Sequence, residues 1–156
     1  MRGPKDFRLQ DGTVIDHLPV GSSIRAIQML GVPRDGPVTV GMNVPSNRYG
    51  AKDIVRVEGL ELDQDDLNRL ALLGQRITVS IVKNGDVKGK VILEVPRRVE
   101  GILECPNPTC ITNVEGVRTI FHRLGEYPYR FRCHYCERMS RAGELRSPEV
   151  QTHLTE

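Results

Sequence analysis

Cys105-Pro-Asn-Pro-Thr-Cys110 and Cys133-His-Tyr-Cys136 together hold all four cysteines of this 156-residue chain, in two close pairs separated by 22 residues. Two short loops that each present two sulfurs make a tetrahedral thiolate set from only two chain reversals, which is the geometry zinc prefers. Pro106 and Pro108 help the first loop turn, and the segment from Ile111 to Arg132 is long enough for a strand, a turn and a returning strand. Four cysteines close the coordination shell and leave no open position for water, so the metal is structural, one zinc per chain, rather than catalytic. Disulfide pairing is the competing reading. It is weaker here because the N-terminus Met1-Arg-Gly-Pro-Lys5 is not followed by the apolar core of a signal peptide, and the expected compartment is the reducing cytoplasm. His122 and His134 are near enough in sequence to replace a thiolate, but the four-sulfur set is already complete.

Working outward, the confinement of cysteine to the C-terminal third divides the chain into residues 1–96 and 97–156. A second unit of roughly 55 residues buries too little apolar surface to fold alone, so metal binding must supply much of its stability. No stretch is long and apolar enough to span a membrane. The net charge of +2 divides into 14 basic and 12 acidic side chains before residue 98 and 8 of each afterwards. That balance lacks the one-sided positive charge of a dedicated nucleic-acid binder. The alternation of Tyr127, Tyr129 and Phe131 with Arg130 and Arg132 keeps open a stand-alone zinc ribbon that binds nucleic acid, although inward aromatics are also what a small zinc domain needs for a core.

The first unit reads as strand, helix, strand, strand, helix, strand, with one further hairpin strand. Thr13 to Leu18 is the first strand, with Val14 and Asp16 on one face and Ile15 and His17 on the other. A helix follows from a Ser22 or Ser23 cap, with Ile24, Ile27 and Leu30 at helical spacing and Gly31 and Pro33 at its end. Val38 to Val44 and Lys52 to Glu58 alternate as strands. Asp63 caps a second helix with Asp66 in its first turn, Leu62 and Leu67 form a hydrophobic staple, the inner face is Leu67, Leu70 and Ala71, and Gly74 is its stop. Asn84-Gly85 joins the last two strands, from Ile77 to Val82 and from Val87 to Val95, by the strongest short hairpin signal. Pro96-Arg97-Arg98 is the linker. The fold class is α+β, a ferredoxin-like sandwich followed by a small antiparallel zinc ribbon. The sheet face away from the helices would carry Ile15, Ile54 and Ile92 and want a partner. The tail from Ser147 to Glu156 is polar.

No catalytic constellation appears. Asp16 and His17, as strand neighbours, would point to opposite faces, and the chain has neither a phosphate loop nor a dinucleotide fingerprint.

Gly12-Thr-Val-Ile-Asp-His17, Val40-Gly-Met-Asn-Val-Pro-Ser46, Lys52-Asp53-Ile54, Leu70-Ala-Leu72 and the two cysteine knuckles, including Cys110-Ile-Thr112 and Cys136-Glu137, occur in this order. In this the chain resembles the regulatory chain of aspartate carbamoyltransferase over roughly residues 8 to 140. The resemblance implies a non-catalytic subunit of pyrimidine biosynthesis. Its N-terminal allosteric domain would bind nucleoside triphosphates and pair with a second copy through its sheet, and its zinc domain would grip the catalytic chain, with Asn107 among the contacts. Neither nucleic acid nor membrane is an expected partner, given the charge balance and the lack of an apolar span. Leu9, Asp16, His17 and Lys90 match positions that contact nucleotide in that family, and Lys52 lies in the matching loop. Arg56 stands where the familiar bacterial pattern has lysine, Ser80 where it has asparagine and Gly85 where it has tyrosine, so altered base preference, or an assembly scaffold with a decayed effector site, belongs among the expectations.

Overall fold

The computed structural model describes residues 9–33, 35–48 and 50–145. Nine strands form two antiparallel sheets. The first is built from β1 (Gly12–Leu18), β2 (Val38–Ser46), β3 (Gly50–Glu58), β4 (Thr78–Lys83) and β5 (Asp86–Ile92), in the order β2-β3-β1-β4-β5. This is the split arrangement of a ferredoxin-like sandwich with one strand added, and α1 (Ser23–Leu30) and α2 (Gln64–Ala71) cover one face. The second sheet runs β6 (Arg98–Glu100), β7 (Ile120–Leu124), β8 (Arg130–Cys133) and β9 (Met139–Arg141), with a short helix α3 (Ile111–Val114) before β7. The expected strand, turn and strand between the cysteine pairs therefore includes a helical turn as well. Arg98 opens β6 instead of belonging to a linker.

Directly paired residues share a face of a sheet, so the register sorts the side chains. Ile15 lies between Val55 and Val79. All three are buried, which places Ile15 beneath the helices and corrects its expected place on the outer face. Leu18, Leu30, Leu70 and Ile77 complete that core. In α1 the stripe that packs is Ala26, Met29 and Leu30, while Ile24 is 56% exposed; apolar spacing alone had assigned Ile24 inward. Gly31 ends α1 in the left-handed conformation at φ 62°, which glycine adopts without Cβ strain.

The second helix begins as its sequence requires. The Asp63 carboxylate accepts from the Asp66 N–H at 2.8 Å, and the Asp66 carboxylate accepts from the Asp63 N–H at 3.2 Å. Its C-cap is Leu72, and Gly74 is instead buried against Pro19, where a Cβ would come within 2.6 Å of that ring. Asn84 and Gly85 both take positive φ, 52° and 79°, closing the β4–β5 hairpin in the turn that matches strand twist.

Candidate functional site

Two places gather reactive side chains. The first is the cysteine cluster, whose ligand atoms all lie within 4.8 Å of one another. A zinc–sulfur bond of about 2.3 Å gives a tetrahedron with sulfur–sulfur edges of about 3.8 Å. The Cys105 and Cys136 sulfurs are 3.6 Å apart and those of Cys110 and Cys133 are 3.8 Å apart, so the four thiols fit one structural zinc. These separations are far beyond the roughly 2.05 Å of a disulfide, and all four cysteines are free.

Local turns build this geometry. The Asn113 side-chain amide donates to the carbonyls of Cys105 and Asn107 at 2.8 and 2.7 Å, closing the first knuckle from within the α3 turn. Asn107 Oδ1 accepts from the N–H and hydroxyl of Thr109 at 3.1 and 2.9 Å, so this side chain is engaged in shaping the loop. Glu137, with φ 62°, tightens the second knuckle, and its N–H donates to the Cys133 carbonyl. Burial pushes the Cys105 thiol up to about 12 and raises Cys133 as well. Burial also opposes ionisation of Cys136, but the Arg138 N–H and the Asn107 side chain outweigh it and bring that thiol down to about 7. A cluster with such different thiols needs a dication to hold all four as thiolates. His122 and His134 stand outside it, hydrogen-bonded to each other at 2.9 Å between Nε2 and Nδ1.

The second place is the open face of the first sheet. Strand alternation fails after Ile15: His17 has φ 59°, and the register with β3 shifts between Ile15 and Leu18. The bulge brings the His17 ring to Thr78, with 3.2 Å between Nδ1 and Oγ1, and Thr78 is the cross-strand partner of Asp16. Asp16 and His17 thus work from the same side, which corrects the expected opposition. Asp16 Oδ1 accepts from Lys52 Nζ at 2.8 Å and from the His17 N–H at 2.6 Å. The next row outward is Arg56, Val14, Ser80 and Lys90, each beside the next. Six of the seven expected nucleotide contacts therefore lie on one face. Leu9 is half-buried just ahead of the segment that runs beside the hairpin, where the Gly85 N–H donates to the Gln10 carbonyl.

The electrostatics of this face are coupled. Burial opposes ionisation of Asp16, yet the Lys52 ammonium and the His17 N–H hold its carboxyl below the usual range. Burial, then Lys52, Arg48 and Lys90, keep the His17 imidazole below its ordinary value, although Asp16 pulls the other way. A face that disfavours one more positive charge is ready to accept an anion. Apolar surface adjoins it. A second bulge in β2, with Asn43 at φ 56°, turns Val44 to this side next to Ile54, both over the bare Gly41 backbone. Ile92 lies beyond Thr78 and is 48% exposed.

Asp53 was missed by sequence reasoning as a site residue. Its carboxylate is fully buried and accepts from the Gly21 and Ser23 N–H groups, the Ser23 hydroxyl at 2.7 Å and the Asn43 N–H at 3.0 Å. It locks the start of α1 and the β2 bulge to the strand that carries Lys52. Only its presence in the Lys52-Asp53-Ile54 motif hinted at this.

Comparison with known proteins bears on both places. Residues 7–94 match the family model described as aspartate carbamoyltransferase regulatory chain, allosteric domain, and residues 97–145 match the model for its metal binding domain. The chain belongs to the aspartate carbamoyltransferase regulatory-chain family. A regulatory chain of that name from Pyrococcus horikoshii is 45% identical over 140 residues, covering 88% of this chain and 92% of the relative. Those of Korarchaeum cryptofilum and Methanocaldococcus jannaschii are 45% and 40% identical, over 83% and 84% of this chain and 85% and 88% of theirs. The family is that of the non-catalytic subunit, in keeping with the absence of a catalytic constellation from the sequence. No helix among the described residues is long and apolar enough to cross a membrane.

Proposed function

We propose that this chain is the regulatory subunit through which nucleoside triphosphates control an aspartate carbamoyltransferase, and hence pyrimidine synthesis in the cytoplasm. Residues 1–96 form the effector domain and residues 97–156 the zinc domain that holds the catalytic chain. The observation that carries the reading is the convergence on one open sheet face of Asp16, His17, Lys52, Arg56, Ser80 and Lys90, from four strands. Lysine and arginine there suit phosphate oxygens, and Asp16 suits ribose hydroxyls. Ser80 offers a single hydroxyl and Gly85 no ring, so charge recognition dominates and base discrimination is weak. Leu9, next to Gln10 at the hairpin, is assigned to the same site.

A second copy pairs through the sheet, for which β2 offers an edge with β3 as its one neighbour and Met42 half-exposed. The zinc domain meets the catalytic chain through its first knuckle, where Asn107 both shapes the loop and borders the contact. Calorimetric titration of CTP, ATP and UTP into wild type and Lys90→Ala tests the effector site. The expected result is binding of all three within about tenfold of one another and at least tenfold loss in the variant, equal to about 1.4 kcal/mol. Undiminished binding by Lys90→Ala would move the site elsewhere. Mixing the chain with catalytic trimers tests the partner: a large complex by size exclusion is expected, and its absence with salt-sensitive nucleic-acid binding would favour the zinc-ribbon alternative.

A further inference from the structure

A cleft of ≈ 890 Å³ separates the helices of the first sandwich from the second sheet. Gly21, Arg25 and Met29 line one wall, and Tyr127, Arg130 and Arg141 line the other. Arg130 and Arg141 are direct cross-strand partners on β8 and β9, both exposed on the face opposite buried Phe131 and Ser140. Like charges directly opposite one another destabilise a sheet. Among the described residues none of the three arginines makes an ion pair, and the cleft lining holds one carboxylate, Glu126. The Glu144 carboxylate, which is near, accepts from the backbone N–H of Arg141 instead.

We propose that this cleft is a second anion site, distinct from the open sheet face, that takes a compact phosphate dianion or polyphosphate. Among the described residues that line the cleft, three guanidinium groups face one carboxylate, an excess of positive charge that suits a phosphate. Guanidinium forks bind phosphate oxygens bidentately, so Arg130 and Arg141 share one group that relieves their repulsion. Arg25, on α1, closes over it from the other half of the chain. The volume is within the usual range for small-molecule sites. A ligand held this way bridges the effector sandwich and the zinc domain, and its binding therefore bears on how firmly the two are packed.

Inorganic pyrophosphate titrated into the full-length, zinc-loaded chain at low ionic strength is the test. Binding to wild type is expected, with at least tenfold weakening in the Arg130→Gln, Arg141→Gln double variant and less than twofold change in Lys83→Ala, a surface lysine paired with Glu61 that does not line the cleft. The double variant without pyrophosphate should melt no lower than wild type, since it loses a repulsion, and this separates loss of the site from loss of the fold. CTP titrated into Lys90→Ala distinguishes the phosphate source: residual binding abolished by adding the two arginine substitutions assigns the cleft to nucleotide phosphates, and no residual binding assigns it to free phosphate species. The proposal is overturned if wild type fails to bind pyrophosphate, if the double variant binds it equally well, or if Lys90→Ala alone removes it.

Discussion

In the zinc knuckles four ligands of one chemical type converge from two turns, each closed by local backbone hydrogen bonds, the first also by the Asn113 side chain. On the open sheet face, six side chains of five types arrive from β1, β3, β4 and β5, and their meeting depends on register and on a bulge at His17. The first site is therefore tied to local chain geometry and to a metal, while the second is tied to the whole sandwich. Damage should spread differently from each. Losing zinc removes the free energy that folds the small sheet but leaves the first sheet its own core, whereas a fault in the sandwich disturbs the open sheet face without touching the sulfur cluster.

The sharpest way to break this contrast is to take the metal away. Chelation, or Cys133→Ser, forfeits a binding free energy of about 10–16 kcal/mol on which the small sheet depends. Amide exchange should show protection lost in β6 to β9 and retained in β1 to β5; equal loss in both sheets would mean that the shared core running from Leu30 through Val95 to Phe121 makes one cooperative unit. Zinc release should also follow acidification, because protons compete for sulfurs whose thiols, Cys105 above all, hold them firmly when metal-free.

A smaller effect tests the sandwich. Asp53→Ala leaves three N–H groups and a hydroxyl without their buried acceptor and should cost about 3 kcal/mol in denaturant unfolding, while zinc content stays at one per chain. The pH dependence has a definite sign. Burial tends to raise the Asp53 carboxyl, but bonds from Ser23, Asn43 and Gly21 hold it below the ordinary value. Its contribution is thus complete above the unfolded pKa of about 3.9 and is lost as pH falls through the folded value. The variant should show a flatter stability profile in that acid range.

Smaller again is the linkage at His17. Its imidazole is held below its ordinary value by burial and by Lys52, Arg48 and Lys90, and a bound triphosphate offsets those charges and raises it. Nucleotide binding should then take up a proton, so CTP affinity rises about threefold or more from pH 8 to pH 6. Calorimetry in buffers of different ionisation enthalpy measures the uptake, and His17→Gln should abolish it. At the bottom of the scale, Ile24→Ser should change stability by less than about 0.5 kcal/mol, because that side chain faces out, against about 3 kcal/mol for Leu30→Ala further along the same helix.

Much of this molecule is written in short-range signals. The two cysteine pairs, the Asp63 and Asp66 cap and the Asn84-Gly85 turn were legible because each acts over two to six residues, and each forms as expected. What escaped reading depends on contacts between distant segments. Ile24 and Leu30 look equally apolar in sequence, and only the angle at which α1 meets the sheet decides which is covered. Ile15 was assigned outward and is core, since the register with Val55 and Val79 selects its face.

The sequence by itself determined the class of the fold, the sulfur set of the zinc site and the family, because ligand type, hydrophobic period and turn chemistry are properties of neighbouring residues. The tertiary structure alone decided that Asp16 and His17 stand on the same side of the sheet. Strict alternation forbids it, and the bulge that permits it lies where β1 steps past β3 while buried Asp53 gathers the start of α1 and the β2 bulge around itself. A left-handed histidine is costly in isolation, and it persists here because the surrounding hydrogen bonds, from residues up to 61 positions away, fix it in place.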